Sequence, residues 1–174
     1  MLDVSVAKDE DFGAISQMLE LYQHDLVSIW DQDLDSGGRY GYNMAPYVQP
    51  SPNKGFVFRV HGHHVGFALV DSPGRFCDGD WWMTQFFVVR KYRGRGVGRA
   101  AAVQILDAVR GRWEVGQMAG NGAGREFWRS VIREYTQDAY VEHSMKGPEW
   151  LGSLQCFDNR QRAVCGALDH VQGE

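Results

Sequence analysis

The stretch that decides the fold is FFVVRKYRGRGVGRA, residues 86–100. An apolar run passes at Arg90 into five positive charges and three glycines within eleven residues. That apolar run closes WWMTQFFVV, which is long and apolar enough for a central strand. Beyond the glycines, Val97, Ala101, Ile105, Leu106 and Val109 recur at helical spacing, so a helix begins at Gly96 or Val97 and runs to about Arg110. The first N–H groups of such a helix have no internal partners and lie at the positive end of its dipole. Glycines let a ligand approach the backbone there. Arg93, Arg95 and Arg99 add charge-assisted donors. Together these features make an anion site suited to phosphate.

Reading outward, WEVGQM follows the helix as another strand. A strand-helix-strand crossover over residues 81–118 makes the two strands parallel. Upstream, FVFRV and HVGFALV flank a short glycine-containing connection and read as a hairpin. Val4 to Ala7 is a strand, and Asp9 is placed to cap a helix whose buried stripe includes Ile15, Met18, Leu19 and Tyr22. Residues 31–55 mix acidic, glycine-rich and proline-rich segments, with room for one more short helix. Downstream, REFWRSVIREY is a helix, and YVEHS and SLQCF are the last strands. The expectation is an α/β domain over residues 1–158, with a mixed, mostly antiparallel sheet of six or seven strands and about four helices. Residues 159–174 are expected to be a tail, either a short helix or disordered.

Composition narrows the function. A net charge of -4 over 174 residues argues against a general nucleic-acid binder. No apolar window approaches the length of a membrane span, and MLDVSVAKDEDF lacks the features of a secretion leader. Cys77, Cys156 and Cys165 are odd in number and widely spaced, which reads as reduced thiols in a cytoplasmic protein. His61, His63 and His64 cluster at a hairpin turn with no carboxylate or Cys at ligand spacing, so no metal is expected.

Two phosphate loops are excluded. No Gly-Lys-Ser or Gly-Lys-Thr occurs, and Gly94, Gly96 and Gly98 give G-x-G-x-G rather than G-x-G-x-x-G. Arg93-Gly94-Arg95-Gly96-Val97-Gly98 instead resembles the R/Q-x-x-G-x-G/A motif of the GNAT superfamily of N-acetyltransferases. Asn121, Gly124, Phe127 and Trp128 are similar to that family's N-x-x-A-x-x-F-Y pattern. The resemblance implies fourth and fifth strands that splay apart, with acetyl-CoA as co-substrate and no metal. The pyrophosphate would lie on the N–H groups of residues 94–99, among Arg93, Gly94, Arg95, Gly96, Val97, Gly98 and Arg99. The pantetheine arm would follow the strand edge near Phe87 and Val88, and Asn121 would bond the cofactor or brace its loop. The implied reaction is direct acetyl transfer to a primary amine of a small, cationic molecule. A protein or peptide acceptor is the alternative within the family, and a non-catalytic acyl-CoA-binding module is the alternative outside catalysis. The resemblance also leaves room for a homodimer.

The catalytic positions depart from the family. The usual acid is a Tyr seven residues after the Asn, where this chain has Trp128. Two positions that carry a Glu base in family members are Gly116 and Trp82 here. Glu114, on the same strand face as Gly116, is then a candidate base, and Tyr135 and Tyr140 are candidate acids. For the acceptor, Asp25, Asp33, Tyr40 and Tyr42 combine carboxylates and aromatics suited to a cationic amine.

Overall fold

A computed structural model describes residues 1–161. Seven strands form one sheet: β1 (Leu2–Val6), β2 (Lys54–Val60), β3 (His63–Asp71), β4 (Trp81–Val88), β5 (Arg112–Met118), β6 (Val141–Lys146) and β7 (Leu151–Asp158). Their spatial order is β1-β2-β3-β4-β5-β7-β6. All neighbours are antiparallel except β4 and β5. Three α-helices flank the sheet: α1 (Phe12–Leu26), α2 (Val97–Ala108) and α3 (Gly122–Thr136). The further helix expected within residues 31–55 is only a 3-10 turn at Ala45–Tyr47, since prolines interrupt this segment.

Local chemistry explains the element boundaries. The β2–β3 turn is His61-Gly62, both at positive φ, which suits a tight hairpin. A 3-10 turn over Asp9–Asp11 precedes α1, and the carboxylate that holds it is Asp11 rather than Asp9. Asp11 accepts the Lys8 N–H at 3.0 Å and pairs with Arg59 on β2. At the other end of the chain, buried Asn159 donates to the Leu106 and Val109 carbonyls and accepts the Gly111 N–H. The fold therefore extends at least one residue past the expected boundary. The tail expectation, and Cys165, otherwise lie outside the described residues.

Each sheet face has its own core. Ala101, Ala102, Ile105 and Leu106 of α2 and Val131 and Ile132 of α3 pack on one face with Trp113 and Val115 of β5. Ile15, Met18 and Leu19 of α1 pack on the other with Val57, Phe67, Leu69 and Phe87.

Two cysteines depart from the reduced-thiol expectation: Cys77 and Cys156 form a disulfide. The cause lies in Glu114, fully buried on β5. Its carboxylate accepts the N–H groups of Arg75, Phe76, Cys77 and Gly79 at 2.7–2.8 Å, and so folds the β3–β4 loop over β5. Its ladder partner on β7 is Cys156. The wrapped loop thus delivers Cys77 to Cys156 across 79 residues of sequence. His143 lies beside the pair and completes the one metal-type cluster found among the described residues. With both sulfurs in the disulfide, that cluster offers no thiolate ligand.

Candidate functional site

β4 and β5 pair only at Trp81 with Trp113 and Trp82 with Glu114, and beyond these residues they separate. A register shift against β3 follows, with Leu69 facing Gln85 and Val70 facing Met83, so Thr84 is the inserted residue of a bulge at the fork. The Val89 N–H bonds Val65 on β3 at 2.8 Å. Strand alternation then turns the Val88 N–H toward the gap, where β5 offers it no partner. An unpaired edge of this kind is ready to receive an extended polar ligand.

The gap is a cavity of ≈ 820 Å³. Arg93, Gly94, Gly96, Gly98 and Arg99 line the end where α2 begins. Gly94 and Gly96 hold φ of 70° and 79°, and the space where a Cβ would sit is open at both. Gly98 has a different reason for lacking a side chain: a Cβ there would touch Phe127 at 3.4 Å, across the α2–α3 contact. Phe87, Val88 and Asn121 also line this cavity. Arg95 is exposed outside it, and Val97 packs toward the α2 core instead. Asn121 caps α3 by accepting the Gly124 N–H at 2.9 Å, so its carbonyl oxygen braces the loop.

The arginines are already organised by protein partners. Arg93 donates through Nε to the Val88 carbonyl at 2.7 Å and pairs with Asp25, which also pairs with Arg90. Burial raises the Asp25 pKa, but the hydrogen bonds and charges of Arg93 and Arg90 outweigh it and hold the carboxyl below the usual aspartate range. Arg99 bonds Ser130 Oγ and Glu134 on α3. Asp25 lines the first cavity, where it is neutralised by two guanidiniums and serves to position Arg93. The other expected acceptor residues stand elsewhere. Asp33 is exposed, Tyr40 bonds His24 and Glu20, and Tyr42 packs on the α1 core.

A second cavity of ≈ 620 Å³ opens from the first. Its walls include Trp30, Arg75, Trp82, Gln85, Glu149 and Trp150. Trp82 and Trp150 meet edge to face at 5.5 Å, and Phe76 backs both rings. Only Trp30 comes from the acidic and aromatic segment singled out in the sequence. The rest derive from the β3–β4 loop, β4 and the β6–β7 turn, and no local pattern joins them.

None of the three candidate catalytic residues lines either cavity. Burial raises the Glu114 pKa, but its four backbone hydrogen bonds outweigh that and hold the carboxyl low. All its accepting capacity is spent on the loop, so it is a structural carboxylate and not a base. Tyr135 donates to Asp107 at 2.9 Å on the far side of α3, and Tyr140 packs against the α2–α3 core. At position 128 the indole is buried against Phe86 and Phe127. At Gly116 a Cβ would fall inside the Trp82 ring. The two positions where a glutamate base could stand are therefore one packing unit, a glycine and the indole that covers it.

The parallel pair thus splits over two adjoining cavities, and one of them reaches the glycine-rich start of α2. The family model of the GNAT acetyltransferases matches residues 15–131, and the chain belongs to that family. Solved structures show the same fold. The Salmonella typhimurium protein yncA, solved with its cofactor acetyl-CoA, is 17% identical with a TM-score of 0.61, over 95% of this chain and 98% of that one. An acetyltransferase from Thermus thermophilus is 16% identical with a TM-score of 0.64, over 91% and 97%. A ribosomal-protein-alanine N-acetyltransferase from Brucella melitensis is 19% identical with a TM-score of 0.59, over 88% and 97%. No curated protein matches the chain. No helix among the described residues is long and apolar enough to cross a membrane.

Proposed function

We propose that this protein transfers the acetyl group of acetyl-CoA to a primary amine of a small, cationic molecule. The carrying observation is the pair of joined cavities, one ending at the α2 N-terminus and the other walled by indoles. In the first, the N–H groups at the start of α2, with Arg93 and Arg99, hold the pyrophosphate. The free edge of β4 takes the pantetheine amides, and the Val88 N–H faces the thioester oxygen as negative charge develops there. In the second, Trp30 and Trp150 offer aromatic surface to a cation and Glu149 adds negative charge, while the buried Trp82 ring is already covered by the Arg75 guanidinium at 5.6 Å. These residues replace Asp25 and Asp33 as the support for a cationic acceptor. A concave volume of ≈ 620 Å³ suits a small amine better than a chain laid across a flat groove. Proximity of amine and thioester supplies much of the rate.

The indoles at positions 82 and 128 favour one competing reading, a module that binds acyl-CoA without turning it over. The test is thiol release from acetyl-CoA with tryptamine, phenethylamine, spermidine, kanamycin and an Ala-initiated peptide, alongside calorimetric binding of CoA. Turnover with a small amine is expected. Tight CoA binding with no turnover on any amine overturns the enzyme reading, and turnover on the peptide alone overturns the small acceptor.

A further inference from the structure

The reaction proposed above expels a thiolate, which needs a proton as the C–S bond breaks. Trp128 cannot supply one, and Glu114, Tyr135 and Tyr140 do not reach the cavities. The two cavities share Tyr22, Leu26, Ile29, Thr84, Gly116, Gln117 and Asn121. The reacting atoms of the two substrates must meet at this junction, because each substrate occupies one cavity. Among the described residues, Tyr22 is the one titratable side chain common to both walls.

Its position is well determined. Tyr22 stands on α1, across the gap from α3, and its ring meets Phe67 and Phe87 edge to face at centroid distances of 6.2 and 5.7 Å. Those contacts hold the ring and leave the hydroxyl without a protein hydrogen bond among the described residues. Tyr47, on the same sheet face, contrasts with it by donating to Asp71 at 2.6 Å. Burial, with a smaller effect from Tyr42, pushes the Tyr22 phenol up to about 12, so it keeps its proton throughout the neutral range.

We propose that Tyr22 is the catalytic acid of this protein, entering the junction from α1 in place of the phenol missing at position 128. The ammonium of the bound amine first gives one proton to solvent water; its freed lone pair then forms the C–N bond to the thioester carbon, and the C–S electron pair leaves on sulfur. The Tyr22 O–H proton passes to that sulfur and gives the free thiol. The nitrogen, now carrying a surplus proton, returns one to the phenolate directly or through water. The residue is thereby restored, and the products are amide, thiol and the one proton released to water. The proposal rests on the acetyl-transfer reading and assigns its missing proton donor.

The experiment uses Tyr22→Phe, which keeps the ring contacts and removes only the hydroxyl. It is assayed with the amine that gives the highest wild-type turnover in the panel above. A fall in kcat of about 100-fold, with the acetyl-CoA dissociation constant and melting temperature unchanged, is expected. Fluorotyrosines of graded acidity placed at position 22 should make kcat vary systematically with phenol pKa, which a hydroxyl with only a packing role would not do. Wild-type turnover together with a Tyr22→Phe kcat within roughly threefold of it overturns the assignment while leaving the acetyltransferase intact. A kcat indifferent to the fluorotyrosine series overturns it as well. Absence of wild-type turnover on every amine removes the acetyl-transfer reading, and the acid assigned to it falls too.

Discussion

The glycine loop and the indole-walled cavity lie at two ends of the same gap, yet they draw on the chain differently. The loop takes Arg93 to Arg99 from one continuous run, which follows β4 after a 3-10 turn at Arg90–Tyr92 and passes into α2 at Val97. The second cavity gathers Trp30, Arg75, Trp82 and Trp150 from segments spread over 120 residues of sequence. The first needs only backbone N–H groups, positive-φ glycines and nearby arginines, all specified locally. The second depends on tertiary supports: Glu114 to fold the β3–β4 loop, and Trp82 to cover Gly116. One region should therefore fail by loss of ligand binding, and the other by loss of structure.

The sharpest way to break this contrast is Gly96→Glu. It puts a carboxylate and a strained positive φ at the anion site, and acetyl-CoA binding should weaken by ~100-fold or more, about 3 kcal/mol, in calorimetry. The fold should persist by circular dichroism, because a side chain there enters open space. Next comes Glu114→Gln, which gives the four loop N–H groups an amide with one acceptor and an opposing donor. It should cost about 3 kcal/mol in urea unfolding, with its effect on turnover following from the displaced loop. The same residue sets a pH dependence. Its folded pKa lies below the unfolded one, so its stabilisation is present above the ordinary glutamate range and is lost as pH falls through the folded value. The gap between wild type and Glu114→Gln should accordingly narrow as pH falls below the ordinary glutamate range.

Gly116→Ala should destabilise by about 1–3 kcal/mol through overpacking against Trp82. In a Trp82→Ala background that cost should largely vanish, and an additive double mutant would show that the two positions are not one unit. The smallest effect is expected at Asp33→Asn, since Asp33 is exposed and touches neither cavity. Stability should stay within about 0.5 kcal/mol, and the acceptor KM should not change. A rise in that KM would return residues 31–35 to the acceptor site.

The seven strands and the parallel crossover were legible in the sequence because period-two and period-3.6 patterns are local. So was the glycine-rich turn that opens α2. Glu114 was misread because its partners are backbone N–H groups 35–39 residues away, which no side-chain pattern records. The disulfide was missed for the same reason, being a consequence of that loop wrapping. Tyr22 was visible only as one more member of the apolar stripe of α1. A partly buried tyrosine in such a stripe looks alike whether its hydroxyl is satisfied or faces a cavity. The acceptor residues were expected in the acidic and aromatic segment by charge and cation–π contact, but Asp25 is consumed by Arg90 and Arg93.

The two residue pairs that join β4 to β5 make the middle of this sheet a seam. On one side stand four strands, on the other three, and past Trp82 no backbone bond crosses between them. A ligand that bonds to the free edge of β4 and to the starts of α2 and α3 works as a stitch across that seam. Its binding energy then becomes mechanical as well as chemical. Amide hydrogen exchange along residues 84–88 and 115–118 should slow when acetyl-CoA is added, while exchange in the β2–β3 hairpin, far from the seam, stays as it was.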